Sequence, residues 1–127
     1  MMDILIVEDD LMLNQVMALQ LSMVGIPVRS AKSGYEALKM IGEQIPNLLI
    51  LDIGLPDLNG HDLVNMLRTQ PATSSIPLIV HTSRDLSRDE QESLKLGPTR
   101  CVTKATAFSD HLETLVHELL NERATFS

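Results

Sequence analysis

The chain has 127 residues, the size of one ordinary domain and enough to bury a core without disulfides or metal staples. Its 44% hydrophobic and 21% charged content is globular rather than disordered, and with 2% aromatics and no Trp the core has to be built from Leu, Ile, Val and Met. A net charge of -7 with only 10 Lys and Arg argues against a direct nucleic-acid role, which needs a basic face to neutralise phosphates.

Cys101 is the only cysteine and cannot pair within the chain. The opening "MMDILIVEDD" lacks the basic-then-apolar order of a signal peptide, and no apolar run approaches the roughly 18 residues of a membrane span. A cytoplasmic protein with no membrane insertion is expected.

The first apolar run, "DILIV" (3–7), reads as a strand that ends against three carboxylates, Glu8, Asp9 and Asp10. Asp10 directly precedes Leu11 and is placed to cap the helix that follows, about 11–24. At 100° per residue, Leu13, Met17, Leu21 and Val24 make a stripe that should face the sheet. Met12, Val16, Leu19 and Met23 form an adjoining stripe, so the apolar arc is roughly 200° wide. That width fits either a broad buried face or a Met-rich docking surface for a partner helix.

Gly25 falls where this helix should stop in a left-handed cap. The second strand, "PVRSA" (27–31), is polar enough for a sheet edge, and Ser33 with Glu36 has the spacing of a capping box. "NLLILD" (47–52) is a third strand ending in Asp52; Asn59 and Asp62 make a weaker cap before "LVNMLR". "PLIVHT" (77–82) leads to Thr82 and Ser83, a second capping box follows at Ser87 and Glu90, and Gly97 marks another helix stop. "RCVT" (100–103) is a fifth strand, again edge-like, followed by Lys104. The pattern is βα five times: a doubly wound α/β fold with a parallel five-stranded sheet. No repeat, low-complexity segment or linker interrupts it, and a single domain over 1–127 without an output domain is expected.

In such sheets functional groups gather beyond the carboxyl ends of the strands. Glu8, Asp9, Asp52, Thr82, Ser83 and Lys104 therefore share one edge. Converging carboxylates repel unless a cation lies among them, and an all-oxygen donor set suits Mg²⁺ or Mn²⁺ better than zinc. A cation, an ammonium and a hydroxyl together describe a cradle for a phosphoryl group, for which Asp52 is a plausible nucleophile. Any one of these residues alone reads more often as a solvated turn, a helix cap or a surface charge; the conjunction at four strand ends carries the weight. His61, His81, His111 and His117 have no Cys or carboxylate partners at zinc-ligand spacing and are expected to be structural, with His81 facing away from Thr82.

"ILIVEDD", "LLILDIGLPDLNGHDL", "PLIVHTS" and "CVTK" together resemble the receiver domain of bacterial two-component response regulators, over nearly the whole chain. The resemblance implies a flavodoxin-like, CheY-like fold with strand order 2-1-3-4-5. It makes Asp52 the phosphoacceptor for a phosphohistidine on a sensor histidine kinase or histidine phosphotransfer protein. It makes Asp9 and Asp52 direct Mg²⁺ ligands, with Glu8 acting through water and the Gly54 carbonyl completing the protein ligands. Lys104 and Thr82 would hold phosphoryl oxygens, and the product would be a switched surface for a downstream protein target. The domain would be a monomer or weak dimer that catalyses its own phosphorylation and dephosphorylation rather than a turnover enzyme.

Three features depart from the family pattern. Ala105 follows Lys104 where a proline is usual, so a trans bond is expected there, because a cis bond before a non-proline costs about 3 to 4 kcal/mol. Cys101 stands where many members carry an aromatic that swings inward, which weakens both that coupling and dimerisation through the fourth helix and fifth strand. The segment "HTSRDLSRDEQESLKLG", followed by Lys104 without a proline, resembles receivers attached to hybrid sensor kinases or standing in phosphorelays. Two alternatives stand beside this reading. One is a phosphate-independent adaptor on the same fold; the other, a Mg²⁺-dependent phosphatase, is disfavoured by Gly54 where a second catalytic aspartate would be needed.

Overall fold

A computed structural model describes residues 3–82, 87–94, 97–103 and 111–126. Five strands, β1 (Ile4–Val7), β2 (Val28–Ala31), β3 (Leu48–Asp52), β4 (Leu78–Thr82) and β5 (Thr99–Thr103), form one parallel sheet in the order β2-β1-β3-β4-β5. Between and after them lie α1 (Leu11–Met23), α2 (Gly34–Glu43), α3 (Gly60–Thr69), α4 (Arg88–Leu94) and α5 (His111–Phe126). Strand number, order and direction are as expected from the sequence, with each boundary within one residue.

The sheet separates two cores by the period-two alternation of its strands. Leu5, Val7, Leu49, Leu51, Leu78 and Val80 pack with Ile41 of α2 and Leu63, Val64 and Leu67 of α3. Ile4, Ile6, Leu48, Ile50 and Ile79 pack on the other face with Leu13, Met17 and Leu21 of α1 and Leu112, Val116 and Leu119 of α5. β1 and β3 are buried at every position, whereas β2 is largely half-buried or exposed, as an edge should be. Cys101 is half-buried against the α2–α3 core.

The helix ends follow local chemistry. Asp10 Oδ1 accepts from the N–H groups of Met12 (3.0 Å) and Leu13 (3.2 Å), which makes it the cap of α1. Gly25 takes φ +82°, and the Ile26 N–H returns to the Leu21 carbonyl at 3.0 Å, a left-handed helix stop. Ser87 and Glu90 form a reciprocal capping box, Ser33 Oγ accepts from Glu36 N–H, and Asn59 Oδ1 caps α3. Gly60 cannot carry a side chain, because a Cβ there would lie 2.3 Å from Ile53 Cα. This contact seats the start of α3 against the chain leaving β3.

The wide apolar arc of α1 is not all core. Leu13, Met17 and Leu21 are buried, but Met12, Leu19 and Met23 are 74%, 62% and 76% exposed, and Val16 is half-buried. Val24, expected on the sheet-facing stripe, is the C-cap and is 43% exposed, because the left-handed turn at Gly25 has already begun to carry the chain off the helix axis. Among the described residues, no helix is long and apolar enough to cross a membrane.

Candidate functional site

The two-residue alternation that sorts the cores also builds the site. On β1, Ile4 and Ile6 face α1 and α5, and the next residue in that series is Glu8. On β3 the series Leu48, Ile50 leads to Asp52, and on β4 Ile79 leads to His81. Asp52 and His81 are register partners across β3 and β4. The three side chains meet at the carboxyl edge: one ligand atom from each lies within 4.8 Å of the others. All are buried, Glu8 and His81 completely and Asp52 to 3% exposure.

Each carboxylate is anchored by backbone. Glu8 Oε1 accepts from the Asp10 N–H at 3.0 Å, while Oε2 lies 3.4 Å from His81 Nε2. Asp52 Oδ1 accepts from the Gly54 N–H at 2.8 Å. Asn14, a buried polar residue on α1, donates to the carbonyls of Glu8 (3.1 Å) and Ala31 (3.2 Å) and so ties α1 to the ends of β1 and β2. A Cβ at Gly54 would approach Asp52 Oδ1 to 3.3 Å, so even alanine there crowds the carboxylate. Two carboxylates in a pocket with almost no solvent contact need positive charge close by. Their oxygens converge closely enough for a divalent cation to bridge them, so the donor set fits such an ion.

The run Glu8-Asp9-Asp10 divides in three. Glu8 is buried in the site, Asp9 is exposed, and Asp10 is spent on capping α1. Thr82 closes β4, where the sequence places the strand end, and is in register with Thr103 of β5. Ser83, Lys104 and the Lys104–Ala105 peptide lie outside the described residues. The histidines have no partners at zinc-ligand spacing along the chain, but in the fold His81 meets Glu8, His61 Nε2 lies 3.9 Å from Glu90, and His117 Nε2 lies 3.8 Å from Glu113 one turn earlier. Spacing along the chain could not reveal the His81 contact, because its partner comes from a different strand. Face alternation read across three strands together would have found it.

Comparison with known proteins gives one consistent answer. The family model for "Response regulator receiver domain" matches residues 4–116. The chain is 35% identical over 103 residues to the transcriptional regulatory protein PhoP of Escherichia coli K12, covering 81% of this chain and 45% of that protein. It spans about half the length of the curated transcriptional regulators it matches. Among solved structures, a CheY-like receiver domain protein from Methanospirillum hungatei superposes with a TM-score of 0.87 at 25% identity, over 100% of this chain and 99% of that one. The receiver domain of a signal transduction histidine kinase from Syntrophus aciditrophicus gives 0.81 at 28% identity, over 96% and 92%.

Proposed function

Because the chain belongs to the response regulator receiver domain family, the signalling domains of two-component systems, we propose that Asp52 is its phosphoacceptor and that phosphorylation switches a protein-binding surface. The observation that carries this reading is the burial of Asp52 beside Glu8 at the carboxyl edge of the central strand. The Asp52 carboxylate attacks the phosphorus of a phosphohistidine. A carboxylate O–P bond forms as the N–P bond breaks, and the electron pair stays on the donor's imidazole nitrogen. The Gly54 N–H holds Asp52 in place for attack.

Glu8, Asp9, Asp52 and the Gly54 carbonyl are the proposed set for Mg²⁺, with Mn²⁺ able to substitute. The ion supplies positive charge that offsets the carboxylates and the phosphoryl oxygens. Lys104 and Thr82 are assigned to the phosphoryl oxygens, the first as a charge and the second as a hydroxyl donor. The protein is a self-modifying switch rather than a turnover enzyme.

The phosphodonor, a sensor histidine kinase or histidine phosphotransfer protein, is assigned to the exposed stripe of α1. Support comes from Met12, Leu19 and Met23, which present an apolar strip on the helix that Asp10 caps next to Glu8. A helix docked there stands beside the site.

Incubation with Mg²⁺ and a small phosphodonor, followed by intact-mass measurement, should add one phosphoryl group to the wild type and none to Asp52→Asn. Equal labelling of the two would sink the assignment. Partner binding that is indifferent to Asp52→Ala would instead favour an adaptor.

A further inference from the structure

The third member of the buried trio is not a carboxylate. His81 is completely buried, sits in register with Asp52, and points its Nε2 to within 3.4 Å of Glu8 Oε2. Glu8 is fixed from its other side by the Asp10 N–H, so it does not turn away from the imidazole without losing that bond. A ligand atom of each residue lies within 4.8 Å of the other two, a spread that one ion can bridge.

Resting on the cation-binding reading above, we propose that His81 is a direct ligand of that cation, so that the pocket prefers first-row transition divalent ions to Mg²⁺. The chemistry of the donors is the argument. Mg²⁺ is a hard ion that takes oxygen ligands and retains its waters, and an imidazole nitrogen adds little to its binding. First-row transition ions accept imidazole and carboxylate together. A pocket that places an imidazole nitrogen beside two carboxylates therefore favours the transition ion by a bond that Mg²⁺ forgoes. His81 enters from β4, one strand beyond the two that carry the acidic ligands, so the selectivity rests on a residue outside the acidic run.

The test uses the untagged whole chain with Mn²⁺ as a paramagnetic probe. Electron spin echo envelope modulation of bound Mn²⁺ should show coupling to an imidazole ¹⁴N in the wild type, and His81→Leu should lose it. Calorimetric titration with each ion should show the Mn²⁺-over-Mg²⁺ affinity ratio falling about tenfold or more in His81→Leu. If His81→Leu fails to fold, the combined His61→Gln, His111→Gln, His117→Gln chain keeps His81 as its one histidine among the original four, and nitrogen coupling in it supports the assignment. Mn²⁺ that binds with no nitrogen coupling overturns the inference and leaves the phosphoacceptor reading standing. Absence of binding by either ion overturns both.

Discussion

Asp10 serves two neighbours through different atoms: its carboxylate caps α1, and its backbone N–H holds Glu8. Asp10→Ala removes the first contact and keeps the second. It should cost about 1 kcal/mol in denaturant unfolding while leaving Mg²⁺-dependent labelling of Asp52 intact. Asp57 has a comparable tethering role elsewhere. Its carboxylate oxygens accept from the N–H groups of Gly34 (3.0 Å) and Tyr35 (3.1 Å), and the Gly34 bond foremost, then that of Tyr35, lowers its pKa from 3.8. A depressed folded-state pKa means the stabilisation is complete above about pH 3.8 and is lost as pH falls through the lower folded value. Asp57→Asn should therefore lower the urea midpoint at pH 7, and its deficit against wild type should shrink as pH drops below 3.8. A deficit that stays constant with pH would show that the charge is irrelevant.

At the scale of elements, α1 is the informative helix, since sequence periodicity marks an apolar arc far wider than the sheet can cover. The inner stripe from Leu13 to Leu21 reaches the α5 side of the sheet and is buried, while the outer stripe has no described element over it. Solvating such a strip is unfavourable, and a partner helix would remove it from water. Met12→Glu with Leu19→Glu should weaken phosphotransfer from a histidine kinase or phosphotransfer protein at least tenfold, with labelling by a small phosphodonor unchanged. Equal loss with both donors would place the effect in the site instead of the docking surface. The cap and stop residues were legible one by one, because each acts within four positions of itself. Ser33, Asn59, Ser87 and Gly25 all do in the fold what their spacing announces, and Gly97 takes the left-handed φ expected of it.

For the whole molecule, the sheet order is what concentrates charge. Placing β3 between β1 and β4 brings Glu8 and Asp52 together where water is nearly excluded, so without a cation their repulsion opposes folding. Asp52→Asn should melt higher than wild type in chelator, and added Mg²⁺ should raise the wild-type melting temperature while moving the variant little. A wild type that melts higher than Asp52→Asn in chelator would deny the repulsion. Arg68 is a positive counterpart at the opposite edge. It donates to the carbonyls of Ser74 (3.0 Å) and Ile76 (2.6 Å) and to Thr99 Oγ1 (3.0 Å), tying α3 to the entries of β4 and β5, and burial lowers its pKa to about 10, so it stays charged at neutral pH.

The amino-acid sequence by itself determined the strands, their parallel order through the family resemblance, the helix ends, and the gathering of Glu8 and Asp52 at one edge. Those follow from periodicity and capping, which act over a few residues, and from the rule that parallel strands align their carboxyl ends. Only the tertiary structure decided that His81 completes the buried trio, that Asn14 pins α1 to Glu8 and Ala31, and that half of the apolar arc on α1 faces solvent. Each of these depends on which strand lies beside which and how far a helix reaches over the sheet. Those are contacts between residues far apart in the chain, set by packing of the whole rather than by any local pattern.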